Sequence, residues 1–134
     1  MNRTHLEGAA EALAAQQGYA FHTGPEDGMA HTMRSYPAAW LALLELHAVE
    51  GRSHGRATYD MTLHLLSSGA RLSPTERRAA LARMEEQLLE IFAALSLDER
   101  VLAVEGLSVR PRAFALTPHG EISQTAAARI VTFF

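Results

Sequence analysis

A chain of 134 residues is long enough for one domain with a real core, and with no cysteine it excludes disulfides, thiolate zinc sites and a cysteine nucleophile. Twelve basic against fifteen acidic residues give a formal net charge of -3, and lysine is absent altogether. That is not the charge footprint of a duplex-DNA reader, and it removes Schiff-base chemistry. No apolar run approaches the roughly 20 residues of a bilayer span. Met1 to Glu7 carry charges and a polar cap instead of an apolar signal core, which sets the expectation of a protein made in the cytoplasm with no membrane partner.

In chain order, Thr4 and Glu7 form a capping-box pattern that opens a short first helix, with Leu6, Ala10, Leu13 and Ala14 as its apolar stripe. Gly8 weakens it by about 1 kcal/mol relative to alanine, and Gly18 is placed to end it in a left-handed conformation. From Tyr19 to Tyr36 the periodicity dissolves around Gly24-Pro25 and Asp27-Gly28, so residues 19–36 are expected to be one long loop. A strand follows Tyr36-Pro37, with Trp40, Ala42, Leu44, Leu46 and Ala48 expected on one face and Leu41, Leu43, Glu45, His47 and Val49 on the other. Residues 51–56 supply a hairpin tip. In the return strand Tyr59, Met61, Leu63 and Leu65 alternate with Asp60, Thr62 and His64. Opposed residue numbers should sum to an odd value, and a sum of 107 would set His47 opposite Asp60.

Three helix-start signals then agree: an N-cap serine at Ser73, a first-turn proline at Pro74 and a returning glutamate at Glu76. Leu81, Met84, Leu88, Ile91, Phe92 and Leu95 recur at helical spacing. Burying four or five of them contributes on the order of 10 kcal/mol gross, so this helix should cover one face of the sheet. After Asp98, the segment to Glu105 reads either as a one- or two-turn helix closed by Gly106 or as a short strand, and periodicity does not separate them; the short helix is favoured. A strand is expected over Leu107 to Leu116, placed at an edge or bulge by Pro111. Thr117-Pro118-His119-Gly120 supplies a turn, and Ile122 to Phe134 returns as the last strand.

The seven histidines invite a metal reading, but no pair shows helical i, i+4 ligand spacing. The best alternative set is His47, Asp60 and His64, with Glu45 beside them on one sheet face. Gly51-Arg52-Ser53-His54-Gly55 spells G-x-S-x-G, but it falls in the expected hairpin tip and not on a strand-to-helix elbow, while G-x-G-x-x-G and G-x-x-x-x-G-K are absent, so serine hydrolysis lacks its structural context and a phosphate cradle has no motif. Glu85 and Glu86 diverge by about 100 degrees on a helix and cannot share a substrate. Arg52, His54 and Arg56 make a small basic tip suited to phosphate or an acidic partner, although three such residues on a turn are more often a solvated hairpin tip.

The element order resembles the small tail-terminator, or minor tail, proteins of tailed bacteriophages and prophages. The resemblance rests on Tyr36-Pro37-Ala38-Ala39-Trp40-Leu41, on Gly55 through Leu65, and on Ala115 through Ile122, and runs in order over residues 4 to 134. It implies a structural role in a ring, commonly hexameric, at the head-proximal end of a tail tube, with tube or connector proteins as neighbours. It implies no catalytic residues. The expectation is therefore a single α+β domain over residues 1–134, with about four strands in a mixed or antiparallel sheet packed on one long helix, and a short N-terminal helix beside it. It is a non-enzymatic assembly protein without a cofactor, made in the bacterial cytoplasm and carried in the virion tail where the phage is active. Its interaction residues are Arg52, His54 and Arg56 at the tip and Glu45, His47, Asp60 and His64 on the polar sheet face. A small metal-binding protein or hydrolase using His47, Asp60 and His64 is the alternative.

Overall fold

A computed structural model describes residues 2–25, 36–52, 54–69, 71–112 and 120–134. The fold is α+β. Helix α1 (Asn2–Gln16) leads to β1 (Ala20–Thr23), β2 (Ala38–Gly51) and β3 (Gly55–Ser67), then to helix α2 (Pro74–Ser96), β4 (Val101–Pro111) and β5 (Ile122–Phe133). The strands form one mixed sheet in the order β1-β2-β3-β5-β4, five strands where about four were expected. Among the described residues only β1 and β2 run parallel.

Helix α2 starts as its sequence dictates. Ser73 Oγ accepts from the Glu76 N–H at 3.1 Å, and the Glu76 carboxylate accepts from the Ser73 N–H at 3.2 Å. Its buried side chains, Ala80, Met84, Leu88, Ile91, Phe92 and Leu95, meet Leu41, Tyr59, Met61, Leu63, Leu65, Ala126 and Ile130 of the sheet. Helix α1 adds Leu6 and Ala14 to the same core. Both helices thus lie on one face of the sheet. Gln124 Nε2 donates to the Leu81 carbonyl at 3.0 Å and ties β5 to α2 across that core.

Four expectations need correction. First, α1 begins at Asn2 rather than Thr4, although Gly18 ends it as expected at φ 86°. Second, the expected long loop contains β1, whose residues 20–23 pair with Ala38–Leu41 of β2; residues 26–35 lie outside the described set. Third, residues 101–106 are strand, not helix. Gly106 sits at φ 63° inside a register shift between Glu105 and Ser108, so it serves a bulge in β4 instead of stopping a helix. The placement of Pro111 on an edge strand agrees with expectation. The turn expected at residues 117–119 lies outside the described residues.

The fourth correction concerns register. Strand β2 carries shifts between Leu41 and Leu43 and between Leu46 and Ala48, so Ala42 and His47 are extra residues. Opposed numbers sum to 104 below the first shift (Leu41 with Leu63), 105 between the two (Glu45 with Asp60) and 106 above (Val49 with Ala57). Each extra residue restarts the alternation. Leu41, Leu44, Leu46 and Val49 therefore share the helix side, opposite Leu63, Met61, Tyr59 and Ala57, while Trp40, Leu43, Glu45, Ala48 and Glu50 share the other. The first face bears the helices. The second is called the open face below, since no described helix packs on it.

Candidate functional site: the open sheet face and the hairpin end

The cross-strand register aligns one charged row on the open face. Glu45 on β2 lies opposite Asp60 on β3, Asp60 opposite Arg129 on β5, and Arg129 opposite Glu105 on β4. Arg129 Nε donates to Asp60 Oδ1 at 3.3 Å, and His47 Nδ1 stands 3.2 Å from Asp60 Oδ2. The extra residue at position 47 is what brings His47 over Asp60 without being its formal partner. All of these side chains are at least one-third exposed, so each ion pair is worth about 0–1 kcal/mol and exchanges readily for a contact with another molecule. Beside the row runs a shallow groove lined by Leu43, Thr62, Gly106 and Ala127, small or apolar residues between charged walls.

Of the seven residues expected to interact, Glu45, His47 and Asp60 lie together, but Glu45 stands opposite Asp60 where the expected register had placed His47. His64 does not join them. Its side chain is fully buried, with Nδ1 2.6 Å from Thr125 Oγ1, in the part of the open face where Ala38, Trp40 and Leu66 form a second apolar cluster. Asp60 and His64 are four residues apart on one strand, about 13 Å, too far to share a metal ion. Among the described residues no group of three or more histidine, aspartate or glutamate side chains is arranged to hold a metal. At the hairpin, the ladder persists to Gly51 opposite Gly55, leaving only residues 52–54 beyond it. Arg52 and His54 are exposed there. Arg56, expected in the tip, is instead a strand residue between Glu50 and Phe133. The tight closure demands glycine: a Cβ on Gly55 would lie 2.0 Å from the Glu50 carbonyl oxygen. Gly55 also exchanges backbone hydrogen bonds of 3.0 and 3.2 Å with Phe134, fastening the hairpin to the end of β5.

Three features escaped the sequence reading. On the helix side, at the start of α1, an open groove of about 610 Å³ is lined by Asn2 together with Leu46, Val49, Tyr59, Phe133 and Phe134. Leu46 and Val49 are 50 % and 54 % exposed. Next, an Arg3 guanidinium nitrogen donates to the Leu44 carbonyl on the outer edge of β2, just past the point where β1 stops covering that edge. Finally, His5 Nε2 lies 2.7 and 2.9 Å from the two carboxylate oxygens of Asp98, pinning α1 to the turn after α2. Burial pushes the Asp98 carboxyl up. The Arg100 backbone N–H at 2.9 Å, the His5 hydrogen bond and the nearby charges outweigh it and hold the group below the ordinary aspartate value. Burial likewise raises the Tyr19 phenol, against the Arg83 charge, where its hydroxyl donates to Gln87 Oε1 at 2.6 Å.

Among the described residues no helix is long and apolar enough to cross a membrane. No protein-family model matches the chain, and no curated protein is similar to it.

Proposed function

We propose that this chain is a structural tail-assembly protein of a phage or prophage, of the tail-terminator kind. Its copies form a ring at the end of a tail tube and dock to neighbouring tube or connector proteins. It is made in the bacterial cytoplasm and is not an enzyme. The observation that carries this reading is the sheet's unlike edges. One edge is the upper part of β2, from Ala42 to Gly51, which lies beyond β1; the other is the whole of β4, and among the described residues neither pairs with another strand. Unlike surfaces on one subunit join head to tail, and such contacts close into rings when the rotation per copy permits. Asp60, Arg129 and Glu105 of the charged row and the tip residues Arg52 and His54 then remain for other partners.

Native mass spectrometry over a range of concentrations, with and without tail tubes, tests the reading. A closed species of single stoichiometry is expected. Reversing charge at Arg52 and Arg56 should weaken docking to the tube about tenfold while leaving the thermal midpoint within about 2 °C. A protein that stays monomeric at every concentration and ignores tail tubes would sink the proposal.

A further inference from the structure

The two open edges are complementary in detail, and we infer that β4 of one copy pairs antiparallel with the upper half of β2 of the next, in a single register. The inference rests on the ring reading and specifies the contact that builds it.

The outward-facing backbone groups can be assigned on both edges. On β4, the Arg112 N–H donates to the Ser123 carbonyl at 3.2 Å, so Arg112 faces β5; by alternation Pro111, Val109 and Leu107 turn outward. On β2, Arg3 reaches the Leu44 carbonyl from outside, so Leu44 faces outward, followed by Leu46 and, after the extra residue at His47, by Val49. Antiparallel pairing sets Leu44 opposite Pro111, Glu45 opposite Arg110, Leu46 opposite Val109, Ala48 opposite Ser108 and Val49 opposite Leu107.

Every position of that register is chemically matched. Leu44, Leu46 and Val49 lie on the helix side with Val109 and Leu107, so the apolar face of one sheet continues into the next. Glu45 and Arg110 are both exposed and both on the open face, where they form a cross-strand ion pair. Pro111 has no N–H to offer, and it meets the one carbonyl that Arg3 already serves. The lengths agree as well: β1 covers β2 only as far as Leu41, opposite Thr23, so an incoming β4 that reaches Arg112 opposite Leu43 stops where β1 begins. The paired segment ends at Leu107, inside the register shift between Glu105 and Ser108, and the Gly106 bulge stops the pairing from running further along β4.

The register also carries the tilt that closure requires. A perpendicular path across one copy runs Leu41, Leu63, Ala126, Val109, and then enters the next copy at Leu46. A rise of four to five residues over four strands corresponds to a strand tilt of about 35–40°, within the range of closed barrels.

The chain has no native cysteine, so a disulfide trap is clean. Residues 45 and 110 would form a non-hydrogen-bonded pair with Cα atoms about 4.5 Å apart, a geometry that accepts a disulfide. The Glu45→Cys, Arg110→Cys double variant should give, on oxidation, a covalent ladder ending at the ring number, whereas either single variant should not. Glu45→Arg and Arg110→Glu should each weaken assembly about tenfold, and combining them should restore it to within about threefold. If the wild type forms closed oligomers but the double-cysteine variant gives no ladder, or both reversals leave assembly unchanged, this contact is wrong and the ring reading survives. If the wild type stays monomeric and the double variant never cross-links, both fall.

Discussion

The lower and upper halves of the β2–β3 ladder are built from the same two strands yet live in opposite surroundings. Below the extra residue at Ala42, both faces are buried: Ala39, Leu41, Leu63 and Leu65 under the helices, Ala38, Trp40, His64 and Leu66 on the other side. Above it, from Glu45 to Gly51, every β2 residue is exposed. A one-residue insertion separates the part of the hairpin that holds the fold together from the part that is free to meet other molecules. Stability and assembly should accordingly be separable by mutation.

The largest effect tests the lower half. Leu63→Ala, at a fully buried site, should cost about 3 kcal/mol in urea unfolding, whereas Leu46→Ala in the upper half should stay within about 0.5 kcal/mol and disturb only self-association. Equal losses at the two sites would erase the distinction. A smaller effect is expected at the polar part of the lower half: Thr125→Val withdraws one hydrogen-bond partner from buried His64 and should cost about 1–2 kcal/mol, against no measurable loss for Asp60→Asn above. The smallest effect lies outside the hairpin, at Asp98. Because folding lowers its pKa, its stabilisation is present above the unfolded value near 4 and is lost as pH falls through the lower folded value. Asp98→Asn should therefore lower the thermal midpoint at pH 7, and the difference from wild type should shrink toward pH 2–3. A gap that widened on acidification would show that the His5–Asp98 pair is not its source.

How much of this was legible in the sequence depended on whether an element carried its own pattern. Helix α2 was fully readable, since Ser73, Pro74 and Glu76 signal a start by local chemistry alone. Strand β3 was readable because its alternation from Ala57 to Leu65 is unbroken. Strand β2 was found but its faces were misassigned, since Ala42 and His47 look like ordinary strand residues until a partner strand passes them by. Strand β1 was missed because four residues, Ala20 to Thr23, are too few to show a period and gain meaning only beside Ala38–Leu41. At the site, the shared face of Glu45 and Asp60 followed from strand periodicity, whereas His47 reaches Asp60 as an extra residue and not as the opposed partner that periodicity predicts. Arg129 and Glu105, which complete the row, come from strands whose neighbours are set by tertiary structure. His64 was misplaced for the same reason: a face that is polar at one end and covered at the other reads as uniform in one dimension.

The chain holds one tryptophan, and its position makes it an optical gauge. Trp40 donates its indole N–H to the Gly24 carbonyl at 2.6 Å and lies under the His22 ring, with centroids 5.8 Å apart at an interplanar angle of 25°. Its emission therefore reports one event, the seating of the chain at the end of β1 against β2, and that junction is where an incoming strand would have to stop. Wavelength and anisotropy at this single residue can follow occupation of the β2 edge in real time, with no label attached.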